Sequence, residues 1–403
     1  MERETVETLL TGMLQSAQGI SDLLFISGKP PLVEVHGRLS QFTGSVLTPL
    51  FIEELADHVM DGSERLKVEF AAIGSCDCSY AIENLARFRV NIFMQNGKHA
   101  VVMRKLQSEV PSLETLGLPP IFREIVKEKN GIVLVTGGTG TGKTTTLAAM
   151  LNELNHTDEI HIVTLEDPIE FFHSHGKAAI SQRELNKDFH SFAEGLRAAL
   201  RQAPKAILVG EIRDPETLEI AMTASETGHI VFSTLHTINA GQTINRIIGM
   251  FPREEEQQLR LRLSETLRYV ISQRLVSKIQ GGRLLVTEIM GNNLRTRETI
   301  VYGESENKTF SEIIEAGSTL GWHTFDQSLL TAYQAGSVTE ETVMLSCTNK
   351  GRVRRELDLI QKRNGTASVQ APSGLKLNIP EPIRIIDEDA IPFGSPPPLP
   401  AKR

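Results

Sequence analysis

The sequence has little cysteine and no long apolar run, and each shortage excludes a class of protein. Its 403 residues include 3 cysteines. Three cysteines do not make a disulfide framework, and Cys76-Asp-Cys78 without further ligands at metal spacing does not make a zinc site. No uninterrupted apolar run approaches the roughly 20 residues of a membrane span, and the first residues do not resemble a signal peptide. We therefore expect a cytoplasmic protein with reduced thiols.

Basic charge is also scarce relative to acidic charge. The chain has 50 aspartates and glutamates against 42 lysines and arginines, which gives a formal net charge of −8. A protein that coats nucleic acid needs a basic face, so nucleic acid is not an expected partner. The hydrophobic fraction of 40% and the charged fraction of 23% are typical of globular proteins, and the length predicts two or three domains.

The most informative segment is a glycine-rich loop between a strand pattern and a helix pattern. Residues 137–144 fit the phosphate-binding pattern G-x-x-x-x-G-K-[ST]. The apolar run 131–136 predicts a buried strand before the loop, and 144–154 predicts a helix after it. A loop in this position directs backbone N–H groups toward phosphates. We predict a nucleoside triphosphate site, with the side-chain amine of Lys143 at the β- and γ-phosphates and Thr144 on Mg²⁺. The predicted binding residues are Gly137, Gly138, Thr139, Gly140, Thr141, Gly142, Lys143, Thr144 and Thr145.

The hydrophobic patterns divide the chain into three parts. Residues 1–107 mix β-rich runs with a few helical patterns and predict a small α+β domain. Residues 113–363 alternate strand and helix patterns and predict an α/β domain with a parallel sheet covered on both faces. Within them, 253–276 has the spacing of a long amphipathic helix. Residues 364–403 are rich in proline and predict a disordered tail with local polyproline II structure. The predicted strands of the second part are Ile132–Thr136, His161–Leu165, Ala206–Val209 and Ile230–Thr234.

Four further segments place polar residues at or near strand ends. Residues 162–170 carry three carboxylates just after a strand, at the edge where α/β proteins bind ligands. Residues 206–211 form an apolar strand that ends in a carboxylate, as a Walker B motif does. Residues 227–237 carry a histidine at each end of a strand, and the first part of the chain supplies arginines. The candidate side chains are Glu166, Glu170, Glu211, His229, His236, Arg89 and Arg104.

The chemical requirements of phosphoanhydride hydrolysis predict a role for each of these side chains. In-line attack by water needs a metal ion, a residue that positions or polarises the water, and cations for the developing charge. Glu211 suits Mg²⁺ or its water shell, and we predict that Glu170 polarises the water, with Glu166 as the alternative. His236 and His229 are candidate sensors of the γ-phosphate. A purely structural role for each carboxylate or histidine is the competing interpretation.

In this order, the motifs resemble those of the secretion-superfamily ATPases of type IV pilus and type II secretion systems, and most closely the pilus retraction branch, PilT and PilU. The similarity extends from about residue 5 to about residue 360. Besides the phosphate loop it rests on an Asp box (165–170), a Walker B segment (207–214) and a His box (227–237). The resemblance implies a PAS-like N-terminal domain and a RecA-like ATPase domain. It also implies a homohexamer and hydrolysis of ATP with Mg²⁺, coupled to pilus disassembly.

The same resemblance implies partners and a location. Arg89 and Arg104 match arginines that the family inserts into the nucleotide site of a neighbouring subunit. Without the resemblance, an arginine between apolar residues is more often a charged residue that prevents an edge strand from pairing with other chains. The implied partners are further copies of the chain, an inner-membrane pilus platform protein and a second retraction ATPase. The implied location is cytoplasmic and peripheral at the inner membrane.

Two segments depart from the family pattern and keep alternatives open. Residues 201–205 lack the acidic pair that usually precedes Walker B, and residues 293–300 are a distant version of a retraction-branch signature. The alternatives are a PilU-like accessory motor and a pilus-assembly or type II secretion ATPase, although the assembly branch usually carries a tetracysteine zinc insertion that this sequence lacks. The acidic charge disfavours a RecA-like DNA motor, and no second-substrate motif supports a nucleotide kinase.

Overall fold

A computed structural model describes residues 3–35, 37–42, 45–83, 85–106, 109–306 and 308–363. The described elements include two sheets, which fall within the first and second predicted parts of the chain. The exact domain limits stay a prediction, and the predicted tail at 364–403 lies outside the described residues. In the described part of the chain, no helix has both the length and the apolar character that crossing a bilayer requires.

The first sheet is antiparallel, with strand order β3-β2-β1-β6-β5-β4. Its strands are β1 (Ile20–Ile26), β2 (Leu32–Val35), β3 (Arg38–Gln41), β4 (Ser75–Ile82), β5 (Ala86–Gln95) and β6 (Lys98–Lys105). Three helices pack on it, namely α1 (Arg3–Gln15), α2 (Pro49–Met60) and α3 (Glu64–Ile73).

Strand β5 shows why this sheet has two different faces. Phe88, Val90 and Ile92 alternate along it and are fully buried in the core shared with the helices. Because successive side chains of a strand point to opposite faces, Arg87 and Arg89 lie on the other face. That face is turned toward the second domain, because Arg87 Nη2 donates to the main-chain carbonyl of Ile169 at 3.0 Å.

The second sheet has strand order β13-β12-β7-β11-β10-β8-β9, and only the β12–β13 pair is antiparallel. Its strands are β7 (Gly131–Thr136), β8 (His161–Glu166), β9 (Ala179–Glu184), β10 (Ala206–Val209), β11 (Ile230–Leu235), β12 (Leu267–Ser277) and β13 (Arg283–Gly291). The remaining helices, with one short 3₁₀ turn at Ser318–Leu320, are α4 (Ile121–Val126), α5 (Lys143–Thr157), α6 (Phe192–Ala199), α7 (Pro215–Glu226), α8 (Ala240–Ile248), α9 (Glu256–Thr266), α10 (Leu294–Tyr302), α11 (Phe310–Ala316), α12 (Phe325–Gln334), α13 (Glu340–Ser346) and α14 (Lys350–Arg363).

The four predicted strands of this part are confirmed as β7, β8, β10 and β11. They are apolar runs with almost every residue buried, as central strands of a covered parallel sheet must be. Since they are parallel, their carboxyl ends meet at one edge of the sheet. The segments that follow them therefore converge there: the phosphate loop, the Asp box, the Walker B carboxylate and the end of the His box.

The predicted helix over 253–276 is wrong in its second half. Helix α9 ends at Thr266, and β12 begins at Leu267 and lies between β7 and β13. The residues Val270 and Ile271 are buried on opposite faces of this strand. A strand that is buried on both faces has an apolar run, and such a run also fits the apolar stripe of a helix. Here the segment forms a strand because it pairs with a neighbouring strand on each side.

Candidate active site

The glycine-rich loop joins β7 to α5 at the carboxyl edge of the second sheet. Gly142 precedes α5 in the left-handed region, at φ 88°, where a side chain is strained. Gly137 has φ 147°, and a Cβ there would lie 2.7 Å from the carbonyl oxygen of Gln273 on β12. The Thr141 hydroxyl donates to the Gly138 carbonyl at 2.9 Å and closes the loop. The glycines at 137 and 142 are therefore required by the path of the main chain.

Lys143 is folded back into this loop. Its Nζ donates to the carbonyl oxygens of Gly137 at 2.9 Å and Gly138 at 3.0 Å, and the residue is buried. Burial lowers the pKa of Lys143, and the nearby carboxylates of Glu211 and Glu170 oppose that effect. The ammonium group is held in the concave side of the loop, where a phosphate would offer it stronger, charged acceptors.

The Walker B carboxylate follows β10. The Thr234 hydroxyl of the neighbouring strand donates to the Gly210 carbonyl at 2.7 Å and fixes the main chain there. Glu211 forms an ion pair with Arg213, and its Oε2 lies 3.5 Å from His236 Nε2. The side chain of Glu211 is 15% exposed. It is thus accessible from the cleft and already surrounded by cationic and hydrogen-bonding groups.

Glu166 and Glu170, two of the three carboxylates of the Asp box, have different surroundings. Glu166 is buried at the end of β8, and its Oε1 accepts from the Thr164 hydroxyl at 2.6 Å and from Gln182 Nε2 at 3.1 Å. Burial raises the pKa of Glu166 to about 7 despite these bonds. Burial also raises the pKa of Glu170, opposed first by a hydrogen bond from the Thr144 hydroxyl. Glu170 therefore contacts the phosphate loop directly, whereas Glu166 is held within the sheet.

Arg89 and Arg104 face the same cleft from the first sheet. They are directly opposite each other on β5 and β6, and both line the cleft with the phosphate loop of their own chain. Arg104 Nε donates to Asp22 Oδ1 at 2.9 Å, and its side chain is 71% exposed. Since β5 and β6 are interior strands, the edge-strand interpretation of these arginines is wrong. Opposed like charges repel; the Asp22 carboxylate offsets the charge of Arg104, and a phosphate in the cleft would offset that of Arg89.

The two histidines of the His box are separated by the whole length of β11. His236 follows the strand and lines the cleft. His229 precedes the strand, where its Nδ1 lies 2.9 Å from the Ala224 carbonyl oxygen. Seven residues of extended chain place the two histidines roughly 20 Å apart. His229 therefore does not line the cleft of its own chain, because the phosphate loop lies at the other edge of the sheet, and its role as a sensor of the γ-phosphate stays a prediction.

The cleft between the two sheets has a volume of about 900 Å³, which suits a ligand of nucleotide size. The predicted residues that line it are Arg89, Arg104, Thr139, Gly140, Thr141, Gly142, Lys143, Thr144, Thr145, Glu166, Glu170, Glu211 and His236. The sequence interpretation assigned no role to four charged residues of the lining: Asp167, Arg213, Lys278 and Arg283. The first two lie inside motifs already identified and could have been found there. The last two belong to the β12–β13 region, whose first strand was predicted as helix.

Replacing Lys143 tests the phosphate site. We expect Lys143→Ala to weaken ATP binding by about 10- to 100-fold, because charge-assisted hydrogen bonds to phosphate contribute about 1.5–3 kcal/mol. The measurement is titration with a fluorescent ATP analogue. The control is Lys129→Ala, which removes a lysine that is 82% exposed just before β7, at the opposite edge of the sheet. Equal affinities of both variants would contradict the site.

Comparison with known proteins agrees with this geometry. Residues 78–282 match the family model described as type II/IV secretion system protein. The chain is 42% identical over 324 residues to the type IV pilus retraction ATPase PilT of Pseudomonas aeruginosa, covering 80% of this chain and 93% of that protein. It is 34% identical over 374 residues to the type IV pilus ATPase PilU of the same organism, covering 93% of this chain and 96% of that protein.

A solved structure extends the similarity to the fold. The crystal structure of the pilus retraction motor PilT with bound ADP has a TM-score of 0.78 and 39% identity, and the match covers 87% of this chain and 99% of that one. The predicted fold class, an α/β ATPase domain preceded by a small α+β domain, is confirmed, with an antiparallel sheet in the first domain and a mostly parallel sheet in the second. Its sequence, its nucleotide cleft and its fold together show that the chain belongs to the type II/IV secretion ATPase family and, within it, to the ATP-hydrolysing PilT/PilU group of type IV pilus ATPases.

Proposed function

We propose that the protein is a motor ATPase of type IV pilus retraction, which couples ATP hydrolysis to pilin disassembly and thereby to twitching motility. The observation that carries this proposal is a single cleft in which the phosphate loop, the Asp-box carboxylates, Glu211 and two arginines meet. The similarity over most of the chain to PilT, which is described as a pilus retraction ATPase, supports the direction of work.

Thr144 and Glu211 fit the protein's share of a Mg²⁺ site. A hydroxyl and a carboxylate are hard oxygen donors, and both line the cleft next to Lys143. Mg²⁺ binds NTP sites through one or two protein oxygens together with phosphates and water. Within the described residues no cluster of three or more metal-ligating side chains occurs, so the nucleotide itself would have to complete the coordination. The ion would neutralise charge on the phosphates.

Glu170 is the better candidate for polarising the attacking water. It contacts the Thr144 hydroxyl, and the charges of Arg89, Arg104 and Lys143 favour its ionised form. Burial raises the pKa of both carboxyls, so their contacts distinguish them. The Oε1 of Glu166 accepts from Thr164 and Gln182 and is thus directed into the sheet. These differences favour a catalytic role for Glu170 and a positioning role for Glu166.

We also propose that the active form is a homohexameric ring in which Arg89 and Arg104 serve a neighbouring subunit. Within one chain the two arginines border their own cleft. Arg104 is nevertheless 71% exposed, which leaves its guanidinium group accessible to another copy. An arginine supplied from outside the phosphate loop's own domain couples hydrolysis to movement between domains or subunits.

A PilU-like accessory motor is the second candidate function. The similarity to PilU covers 93% of this chain, against 80% for PilT, although its identity is lower. By contrast, the type II secretion system protein E of Aeromonas hydrophila matches only 47% of this chain and 37% of its own length. The proposed location is the cytoplasmic side of the inner membrane. The proposed partners there are a pilus platform protein and a second retraction ATPase.

The role of Glu170 is tested by a conservative exchange. We expect Glu170→Gln to bind ATP with nearly unchanged affinity but to hydrolyse it at least about 100-fold more slowly, the loss typical of a missing general base. Steady-state ATPase rates and nucleotide titration measure the two properties. Glu166→Gln is the matched control and should retain most of the activity. Normal turnover in the first variant with loss in the second would transfer the role to Glu166.

Mixed rings test whether Arg104 acts across a subunit boundary. Lys143→Ala and Arg104→Ala chains are each expected to be inactive. In a mixed ring, the intact phosphate loop of one chain can meet the intact arginine of the other, so ATPase activity should rise above that of either parent. Co-purification with two different tags verifies the mixing. Verified mixed rings without any rise would assign the arginine to its own chain's cleft.

Deletion of the gene tests the direction of work. Cells without the protein should keep surface pili, with normal or increased numbers, while twitching motility is lost. The control is complementation with the wild-type chain and with Lys143→Ala, of which only the first should restore motility. An accessory role would appear as a retraction defect mainly under load. A deletion strain that has no surface pili would refute retraction and favour an assembly ATPase.

A further inference from the structure

Arg87 is a half-buried arginine of the first sheet that contacts the Asp box of the second. Its Nη2 donates to the main-chain carbonyl of Ile169 at 3.0 Å. Its guanidinium carbon lies 3.6 Å from the centre of the Phe172 ring, the geometry of a cation–π contact. Ile169 and Phe172 stand on either side of Glu170, so one guanidinium group holds both flanks of that carboxylate.

The other main-chain group of Ile169 is bonded as well. Its N–H donates to Glu184 Oε2 at 3.3 Å, and the Oε1 of the same carboxylate accepts from the Ser79 hydroxyl at 3.2 Å and pairs with Lys187 at 2.7 Å. Ser79 lies on β4 and Arg87 on β5, both in the first sheet. The residue directly before Glu170 is therefore fixed from both sides by contacts that lead to the first sheet.

The strand geometry links this contact to the cleft. Arg87 and Arg89 are two residues apart on β5 and lie on the same face. Arg87 contacts the Asp-box loop, and Arg89 borders the nucleotide cleft together with Glu170. A shift of the first sheet moves both arginines together. The main-chain position of Glu170 and the distance from its carboxylate to the Arg89 charge therefore change together.

We propose that Arg87 is a positioning residue, which holds the 168–172 loop so that the Glu170 carboxylate stays against Thr144 and transmits movement of the first sheet to that carboxylate. This inference rests on the proposed role of Glu170. It assigns to Arg87 no contact with nucleotide, and within the described structure Arg87 is absent from the lining of the cleft. Its loss should therefore change turnover and leave nucleotide binding almost intact.

Steady-state kinetics of the full chain test this proposal. We expect Arg87→Ala to lower kcat about tenfold or more while the affinity for a fluorescent ATP analogue changes less than about twofold, because misplacing a catalytic group affects the chemical step. Arg87→Lys should lie between, since lysine can donate a hydrogen bond but lacks the planar guanidinium group. The matched control is Arg38→Ala, an exposed arginine on β3 of the same sheet, which should leave both quantities unchanged.

A double-mutant cycle distinguishes positioning from a general structural loss. If Arg87 acts through Glu170, adding Arg87→Ala to Glu170→Gln should cause no further loss of kcat. Hydrogen exchange should also be faster at the amides of 168–172 in Arg87→Ala. If that variant does not fold, Phe172→Leu, which removes only the ring under the guanidinium group, should give a smaller loss with the same non-additivity.

The outcomes separate this inference from the function on which it rests. Inactive Glu170→Gln with normal Arg87→Ala, or losses that add in the double variant, would overturn the role of Arg87 alone. Normal activity of Glu170→Gln would overturn the assignment of Glu170 and with it the positioning role. Unchanged exchange at 168–172 in a slowed Arg87→Ala protein would likewise contradict the proposal.

Discussion

The close approach of the phosphate loop to β12 is the constraint on which the site depends. Gly137 passes so near the Gln273 carbonyl that no Cβ fits between them. The side chain of Gln273 then donates through Nε2 to the Thr146 hydroxyl on α5 at 2.7 Å, and the Thr136 hydroxyl donates to Ser272 at 3.0 Å. These bonds are buried, where an unmade bond is costly. Strand β12 thus sets both the start and the end of the loop, and Lys143 takes its position from them.

A second physical theme is the concentration of opposite charges in a cleft of an acidic protein. The carboxylates of the Asp box and Walker B lie beside Lys143, Arg213 and the two arginines of the first sheet. Burial raises the pKa of Asp167 and of Glu170, and the nearby cations oppose this. The negative net charge of the whole chain therefore says nothing about this cleft. Local cations, not overall charge, allow it to accept phosphates.

The sequence was sufficient for the local parts of this site. The phosphate loop and the strands β7, β8, β10 and β11 could be predicted because a glycine pattern and buried apolar runs depend on neighbouring residues only. The strand β12 could not, because its apolar spacing also fits a helix and only its pairing with β7 and β13 decides. Lys278 and Arg283 were missed for that reason.

The position of the arginines between the two sheets could not be predicted from the sequence either. The pattern around Arg89 and Arg104 did not reveal that β5 and β6 are interior strands, nor that both arginines border the cleft of their own chain. The distance of His229 from the cleft of its own chain, by contrast, could have been predicted. A strand between two histidines already implies that they lie at opposite edges of a sheet.

The ion pair between Glu211 and Arg213 has a consequence for the order in which ligands enter. The carboxylate is already neutralised by a cation of its own chain, and His236 stands at its other oxygen. A free Mg²⁺ ion would only exchange one cation for another while losing part of its tightly held water shell. A Mg²⁺ ion that is already chelated by ATP would bring its own phosphate ligands. Those phosphates would also give Arg213 an anion to pair with in place of Glu211. At the proposed Mg²⁺ site, these contacts would therefore favour entry of the metal–nucleotide complex over entry of the bare metal ion.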